Sequence, residues 1–308
     1  MENTPKNEIW FAVVNVFAAS KKAASLWEES ERYLREAGVV FHGTRTGKAG
    51  NVAELTFDAC MAGYRKFIAV GGDGTVHDVL NGIAGFIDWN KAYGKSYSFS
   101  EFALGVIPLG SGNDWIKSLG ITKDLRKAVE VIADGRLSKQ DVVRVSMLDR
   151  DALPYERETS VSYMVNVGGI GIDAKVCDHV NRLKSQGRRG KILYVTSLIK
   201  AVMERRPSAL KIICDGDTAF EGRYISVAFG VGKYSGGGMR QTPAAVLDDG
   251  LLDGLLPRLA ADLDFLLHDG SMYPFSYVGS RCGAALSYGI SLRCPSCSCP
   301  YGQDGRPP

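Results

Sequence analysis

Short apolar runs alternate with amphipathic stretches along the first half of the chain. The apolar runs predict buried strands over residues 10–16, 39–41, 66–70 and 103–108. The stretches between and after them predict helices over residues 25–37, 50–62, 74–83 and 124–133, with another helix beginning near Asp114. Strands that alternate with helices pair in parallel, so the pattern predicts an α/β sheet, whose ligands bind beyond the carboxyl ends of its strands.

The pattern changes after about residue 136. Strand-like segments with turns between them cover residues 142–147, 161–167, 209–214 and 224–230, and one long helical region is predicted over residues 173–204. We therefore expect two domains. Residues 1–136 form an α/β nucleotide-binding domain, and residues 137–308 form a mostly β domain whose composition diverges from about residue 254.

Two glycine-rich turns follow two of the predicted strands. The first is Gly71–Thr75, in which glycines allow the backbone to approach phosphate oxygens and the start of the next helix attracts anions. Thr75 can donate a hydroxyl hydrogen bond, and Asp73 would hold Mg²⁺, directly or through water, or orient a nucleotide. Taken alone, this turn is equally typical of a tight bend without a ligand.

The second turn, Leu109–Asp114, changes that balance. Ser111 can donate to a phosphate, while Asn113 and Asp114 can cap the following helix. Helix capping does not explain why the whole turn is polar behind a buried strand. Because both turns lie at carboxyl ends of strands, they predict one shared nucleotide site.

A third glycine-rich region lies in the second domain. Gly236–Gly238 permits the close approach of another backbone or a ligand, and Asp248 and Asp249 precede Gly250. Paired acids before a glycine are typical either of an oxygen-lined cation site or of a turn with side-chain-to-backbone hydrogen bonds. The pattern alone favours a turn.

Composition and charge exclude some classes of partner. The chain has 308 residues and a formal net charge of +3, which is too small to indicate nucleic-acid binding. No apolar stretch reaches the roughly 20 residues that span a bilayer, and no signal peptide is expected, so we expect a cytoplasmic protein. Contact with an anionic membrane surface is compatible with the basic cluster Lys184, Arg188, Arg189 and Lys191, which is also typical of a solvated face.

The seven cysteines fall into two groups. Cys60, Cys177 and Cys214 have apolar neighbours and are expected to be reduced core thiols. The others, Cys282, Cys294, Cys297 and Cys299, lie in a tail that is rich in Ser, Pro and Arg. Three interpretations of this tail are open: a zinc module, a divergent segment, or a change of reading frame, which we favour because the composition shifts abruptly.

Several motifs carry a resemblance to a known family. They lie around Val14 and Asn15, at Thr46, and over residues 71–82, 104–121, 166–176 and 236–253, about four fifths of the chain. The chain resembles the diacylglycerol kinase catalytic family, in particular the small soluble bacterial lipid kinases that are relatives of sphingosine kinases. Its most specific motif is the second turn, because NAD kinases share the first turn and the general fold but lack the second.

The resemblance implies a two-domain kinase with its active site in the cleft between an NAD-kinase-like α/β domain and a mostly β sandwich domain. ATP would contact Asn15, Thr46, Gly71, Gly72, Asp73, Gly74, Thr75, Val76, His77, Asp78, Ser111, Asn113 and Asp114. His77 and Asp78 stand where the family usually has Asn-Glu, and we expect His77 to face solvent or the rim of the nucleotide. A structural Mg²⁺ in the second domain would be held by the Asp249 carboxylate and the carbonyl oxygens of Val246 and Leu251.

The resemblance also implies direct phosphoryl transfer from ATP to the hydroxyl of diacylglycerol or a related lipid alcohol. In the family the general base belongs to an Asp-Gly-Glu motif near the C-terminus. The only similar sequence here is Asp304-Gly305-Arg306, which makes Asp304 the candidate base beside Asp73 in the catalytic set. Without such a base, the alternative is a nucleotide- or lipid-binding protein of the same fold; NAD kinase is a third hypothesis. The sequence does not predict the oligomeric state.

Overall fold

The structure is a computed structural model that describes residues 5–16, 23–47, 51–148, 158–185, 208–214, 217–255 and 291–293. Three features considered above lie outside the described residues. They are the candidate base Asp304, the four cysteines of the tail, and the basic residues Arg188, Arg189 and Lys191. The second half of the predicted 173–204 helical region lies outside them as well.

The first domain is built on a four-stranded parallel sheet in the order β2-β1-β3-β4. Its strands are β1 (Trp10–Val14), β2 (Phe41–Arg45), β3 (Lys66–Gly71) and β4 (Ala103–Pro108). Its helices are α1 (Ala23–Glu36), α2 (Val52–Met61), α3 (Asp73–Ala92), α4 (Asp114–Ser118) and α5 (Leu125–Asp134), with a 3-10 turn over Phe99–Glu101. The predicted α/β architecture is confirmed.

Helices cover both faces of this sheet. On one face Val13, Phe67 and Ala69 pack against residues of α2 and α3. On the other, Ile68 and Val70 pack against residues of α1 and α5. The two central strands are buried on both sides, which explains why their sequences are continuous apolar runs.

Two elements differ from the sequence prediction. The strand predicted over residues 39–41 lies at Phe41–Arg45, because its register is set by pairing with β1, and its polar residues are tolerated at the edge of the sheet. Helix α3 continues to Ala92 instead of ending near Ile83. Gly82 is not a helix end: a Cβ there would lie 2.5 Å from the carbonyl oxygen of Ala53, so glycine allows α2 and α3 to pack closely.

The second domain is mostly β, as predicted. Its described elements are β5 (Val143–Leu148), β6 (Glu158–Met164), β7 (Val167–Gly171), α6 (Ile172–Ser185), β8 (Ser208–Cys214), β9 (Asp217–Tyr224), β10 (Ser226–Gly230), β11 (Tyr234–Ser235), β12 (Met239–Arg240), β13 (Asp253–Leu255) and β14 (Ser291–Arg293). All its strand pairs are antiparallel: β5 with β6, β7 with β10 and β13, β8 with β9 and β14, and β11 with β12. In the part of the chain described here, no helix has the length and apolar character needed to cross a bilayer.

The cysteine predictions have mixed outcomes. Cys60 lies in the core of the first domain, and burial raises the pKa of its thiol to about 12. Cys177 is exposed on α6, so its prediction as a core thiol is wrong. Its neighbour Val176 takes the buried position of the helix instead.

Candidate active site

The two glycine turns meet at the carboxyl edge of the parallel sheet. The carbonyl oxygen of Gly71 accepts hydrogen bonds from the backbone N–H groups of Leu109 at 2.8 Å and Gly110 at 3.2 Å. A Cβ on Gly110 would lie 2.5 Å from the Cα of Gly72, so neither glycine can be replaced without a shift of the backbone. The structure therefore brings the two motifs together as one surface.

Asp73 fastens the first turn to the second. Its Oδ1 accepts a hydrogen bond from the backbone N–H of Trp115 at 3.0 Å, close to the start of α4. The sequence predicted that Asn113 or Asp114 would cap this helix. Asn113 occupies the N-cap position, but its φ of 51° is left-handed and its side chain makes no capping bond. Asp73 supplies the capping acceptor from the other turn.

Asn113 holds the second turn from inside. Its Nδ2 donates to the carbonyl oxygens of Pro108 at 3.2 Å and Gly110 at 2.7 Å. Its Oδ1 is buried without a partner, although the residue is only 2% exposed. A buried oxygen without a hydrogen bond is costly, so this atom can accept a donor from a ligand or a water molecule.

A second orphan oxygen lies at the same edge of the sheet. The Oγ1 of Thr46, which follows β2, is buried and has no partner. The backbone N–H of Thr46 donates to the carbonyl oxygen of Val14, the last residue of β1. Nearby, Asn15 donates through Nδ2 to the Oγ1 of Thr75 at 3.0 Å. This bond orients the hydroxyl group of Thr75, which lies in the first turn of α3.

The remaining predicted contacts differ in accessibility. Ser111, Gly74 and His77 are exposed, whereas the side chain of Val76 packs in the core and its backbone N–H donates to the carbonyl oxygen of Gly72 at 3.1 Å. Asp78 is half-buried, and burial raises the pKa of its carboxyl group, while nearby His77 partly lowers it.

Side chains of the second turn also reach the second domain. Asp114 is buried; its Oδ2 accepts a hydrogen bond from the backbone N–H of Gly237 at 2.7 Å, and its Oδ1 pairs with Lys117. The hydroxyl group of Ser118 accepts from the backbone N–H of Lys233 at 3.0 Å. Gly236–Gly238 lies at the tip of the β11–β12 hairpin, and its three positive φ angles require glycine.

Gln140, in the connection between the domains, was missed by sequence reasoning. Its Oε1 accepts a hydrogen bond from Trp115 Nε1 at 2.9 Å, and its Nε2 donates to the carbonyl oxygen of Val165. These bonds link α4 to the connection between β6 and β7. A single glutamine in a polar segment has no sequence pattern that would reveal these partners.

The acidic loop lies in the second domain before β13. The Oδ1 of Asp249 accepts from the backbone N–H of Leu251 at 3.0 Å, which forms the side-chain-to-backbone turn that the sequence favoured. Asp141, which sequence reasoning missed, accepts from the N–H of Gly250 at 2.7 Å. Burial raises the pKa of the carboxyl groups of Asp141 and Asp253, and the Asp249 charge raises both further.

The donor set of this loop fits a hard cation. Its side-chain ligands are carboxylate oxygens, and a positive ion would relieve the repulsion between them. Val246, whose carbonyl oxygen is a candidate ligand, is exposed. Within the described ranges, no three His, Cys, Asp or Glu side chains are grouped as metal ligands. A cation at Asp249 would therefore need backbone carbonyl oxygens as well, as the resemblance implies for Val246 and Leu251.

Comparisons with known proteins agree with this architecture. Residues 10–145 match the model of the diacylglycerol kinase catalytic domain. Residues 166–279 match that of the YegS C-terminal NAD kinase beta sandwich-like domain, a match that extends past Asp253, where the motifs quoted above end.

Relatives and solved structures give the same picture. A "Probable lipid kinase YegS-like" from Enterobacter sp. (strain 638) is 26% identical over 246 residues, which cover 77% of this chain and 74% of that protein. A protein of the same description from Klebsiella pneumoniae (strain 342) is 25% identical over 242 residues, 76% of this chain and 72% of that protein. The crystal structure of a diacylglycerol kinase from Bacillus anthracis str. Sterne shares the fold, with a TM-score of 0.64 and 19% identity over 95% of this chain and 87% of that one. Because the two matched domains together cover most of its length, the chain belongs to the diacylglycerol kinase catalytic family and is a YegS-like member of its lipid kinases.

Proposed function

We propose that this protein is an ATP-dependent lipid kinase that transfers the γ-phosphoryl group of ATP to the hydroxyl group of diacylglycerol or a related lipid alcohol. The observation that carries the proposal is the locked pair of turns, Gly71–Thr75 and Leu109–Asp114, at the start of α3. Backbone N–H groups at a helix start bind anions, and the orphan oxygens of Thr46 and Asn113 at the same edge are suited to accept hydrogen bonds from a ligand or its water.

Phosphoryl transfer depends mainly on positioning and on charge neutralisation, so the protein needs few reactive side chains. In this proposal the N–H groups of Gly72, Asp73 and Gly74 hold the phosphates, since that of Thr75 already donates to the carbonyl oxygen of Gly72. The hydroxyl groups of Thr75 and Ser111 donate to the phosphates. Asp73 keeps the two turns in register and orients the nucleotide or its Mg²⁺, whose charge would offset that of the phosphates. Asp304 remains the candidate that takes the proton from the lipid hydroxyl.

The second domain carries the lipid side of the proposal. Asp249, with carbonyl oxygens of Val246 and Leu251, would hold a structural Mg²⁺ in the acidic loop. Because this loop is tied to Asp141 in the connection between domains, a cation there would stabilise the second domain beside the cleft. Contact with the membrane surface that supplies the lipid is part of the same proposal.

The direct test offers γ-labelled ATP and Mg²⁺ with diacylglycerol, sphingosine and NAD in parallel. We expect label in a lipid and none in NAD. Asp73→Asn should reduce lipid labelling at least 100-fold, because the amide keeps an acceptor for the Trp115 N–H but removes the charge.

A matched control is Asp124→Asn. Asp124 also caps a helix, accepting from the N–H of Lys127 at 2.9 Å, but it lies at the start of α5 outside the paired turns. Its replacement should leave labelling within about twofold of the original chain, since its role is only structural. Label in no lipid would favour the nucleotide- or lipid-binding alternative, and label in NAD would favour NAD kinase.

A further inference from the structure

One side chain on the nucleotide helix holds the backbone of the second domain. Asn81 lies on α3, two turns after Asp73, and its carboxamide faces β6. Its Nδ2 donates to the carbonyl oxygen of Tyr163 at 2.9 Å, and its Oδ1 accepts from the N–H of the same residue at 2.8 Å. The side chain thus forms the two hydrogen bonds that a neighbouring strand would form.

The carboxamide of Asn81 is fully used. A primary amide can donate two hydrogen bonds and accept two. The second donor bond goes to the carbonyl oxygen of His77 at 2.8 Å, and the hydroxyl group of Ser162 donates to Oδ1 at 3.3 Å. One group therefore links the first turn of α3 to β6, and removing it leaves both backbone groups of Tyr163 without this partner.

A second contact holds the side chain of the same tyrosine. The hydroxyl group of Tyr163 donates to Asp88 at 2.9 Å from Oδ2 and 3.2 Å from Oδ1. Asp88 follows Asn81 by seven residues, two helical turns, and so lies on the same face of α3. Burial and the Asp88 carboxylate raise the pKa of Tyr163, so its hydroxyl group stays a donor at neutral pH.

Tyr163 also belongs to the core of the first domain. It is 9% exposed and packs in the cluster that contains Phe67 and Val79, with its ring 5.5 Å from that of Phe99. In the described chain, helix α3 holds β6 through Asn81 and Asp88. Helix α4 holds the region of the β11–β12 hairpin through Asp114 and Ser118. Both helices start at the glycine turns.

We propose that Asn81 is a positioning residue that fixes the β5–β6 hairpin relative to the phosphate-binding turn, and with it the start of β7, which follows β6 after two residues and leads into the second domain's sheet with β10 and β13. The inference rests on the proposed function, because it assigns to this contact the alignment of the lipid hydroxyl with the phosphoryl group. A displacement of about 1 Å between reacting groups lowers the rate of such reactions about 100-fold. Asn81 acts on the reaction only through Tyr163 and the strand that carries it.

The test is Asn81→Leu, which keeps the size of the side chain and removes all four hydrogen bonds. We expect kcat for lipid phosphorylation to fall about 100-fold, while the Kd of a non-hydrolysable ATP analogue stays within twofold. Asn81→Asp, which keeps the acceptor for the Tyr163 N–H, should recover part of the loss. Tyr163→Phe keeps the bonds of Asn81 to the backbone of β6 and removes the hydroxyl group that contacts Asp88 and Arg144, so it should lower kcat only about 10-fold.

The matched control is Asn90→Leu. Asn90 lies on the same helix and is more deeply buried than Asn81, but its Nδ2 donates within the helix, to the carbonyl oxygen of Phe86 at 2.8 Å. It should leave both kcat and nucleotide affinity unchanged. If Asn81→Leu leaves kcat unchanged, or weakens nucleotide binding as much as it lowers kcat, the positioning role is wrong.

Hydrogen exchange separates this inference from the proposed function. Asn81→Leu should speed amide exchange at Ser162–Met164 at least 10-fold. Asn90→Leu should not, because of these two asparagines Asn81 is the one that hydrogen-bonds to that strand. If the original chain labels no lipid, the proposed function fails, and the exchange result alone decides whether Asn81 fixes the hairpin. Unchanged exchange would show that Asn81 does not fix the β5–β6 hairpin. If Asn81→Leu folds poorly, the same exchange measurement is made on Tyr163→Phe, and unchanged exchange there would likewise contradict the inference.

Discussion

The glycine turns of the first domain and the acidic loop of the second are similar in composition but opposite in electrostatic character. In Gly71–Thr75, Asp73 Oδ1 accepts a hydrogen bond from a backbone N–H, and the start of α3 contributes further N–H groups. In the acidic loop, the charge of Asp249 raises the pKa of Asp141 and of Asp253. The first arrangement suits phosphate and the second suits a cation.

The difference shows that glycine next to aspartate does not define a site by itself. What matters is where the neighbouring strands and helices put the backbone N–H groups. At the first turn, a parallel strand leads directly into a 20-residue helix, so N–H groups are concentrated there. At the acidic loop no helix follows in the described chain, and the charge of Asp249 acts on the neighbouring carboxyl groups of Asp141 and Asp253.

The largest effect should come from Gly110→Ala, which breaks the pairing of the two turns. The new Cβ would lie 2.5 Å from the Cα of Gly72 and 2.5 Å from Asn113 Oδ1. We expect the free energy of unfolding to fall by about 1–3 kcal/mol through overpacking. Lipid labelling should fall about 100-fold because the turns separate. Urea unfolding and the labelling assay measure the two effects.

Gly74→Ala is the stability control at the same edge. A Cβ at Gly74 meets nothing within 4 Å, and alanine is favoured over glycine in a helix by up to about 1 kcal/mol. It should not lower the free energy of unfolding. Equal stabilities for the Gly110 and Gly74 variants would contradict the close contact between the turns.

A smaller effect is expected at the acidic loop, where Mg²⁺ binding should raise the free energy of unfolding. At a Mg²⁺ concentration 100 times its Kd, the free energy of unfolding of the original chain should rise by about 2.7 kcal/mol. Asp249→Asn should lose most of that rise, because the amide keeps the turn to Leu251 but not the charge. Asp178→Asn, at an exposed ion pair on α6, is the control and should keep it. The same response in the Asp249 variant and the original chain would remove Asp249 from the cation site.

The smallest effect should be a change in the pH dependence of stability at Asp78. Because burial raises the pKa of this carboxyl group, the folded protein binds the proton more tightly than the unfolded chain. The free energy of unfolding contributed by Asp78 therefore falls as the pH rises from 3.8, the ordinary pKa of an aspartate, through the raised pKa of the folded protein. Asp78→Asn should be more stable than the original chain at pH 7.5, by an amount that shrinks toward pH 4. A difference that stays constant with pH would show that Asp78 does not titrate in this way.

Sequence reasoning predicted the parts of this molecule that local patterns determine. The strands around residues 10–14 and 66–70 were evident because central strands of a parallel sheet are apolar throughout. The meeting of the two glycine turns followed from parallel pairing alone. The polar edge strand β2 was misplaced, because its bounds depend on pairing with β1 and none of its own residues is fully buried.

Contacts between distant parts of the chain could not be predicted. Asn81 meets Tyr163 across 82 positions, and Asp141 meets Gly250 across 109. Asparagine in an amphipathic helix and aspartate in a connection look like ordinary solvent-facing residues until the fold brings their partners to them. The predicted contacts Asn15, Thr46 and Ser111 stay predictions, since their partners would be supplied by a ligand.

One crystal structure can test whether the glycine turns at the carboxyl edge of the parallel sheet hold phosphate and the acidic loop holds a cation. The protein would be crystallised with ADP and Mn²⁺ in place of Mg²⁺, and the ion located by its anomalous scattering. We expect phosphate oxygens within hydrogen-bond distance of the N–H groups of Gly72, Asp73 and Gly74, and an anomalous peak at the Asp249 carboxylate. Phosphates bound elsewhere, or no peak at Asp249 with the metal at saturation, would contradict this assignment.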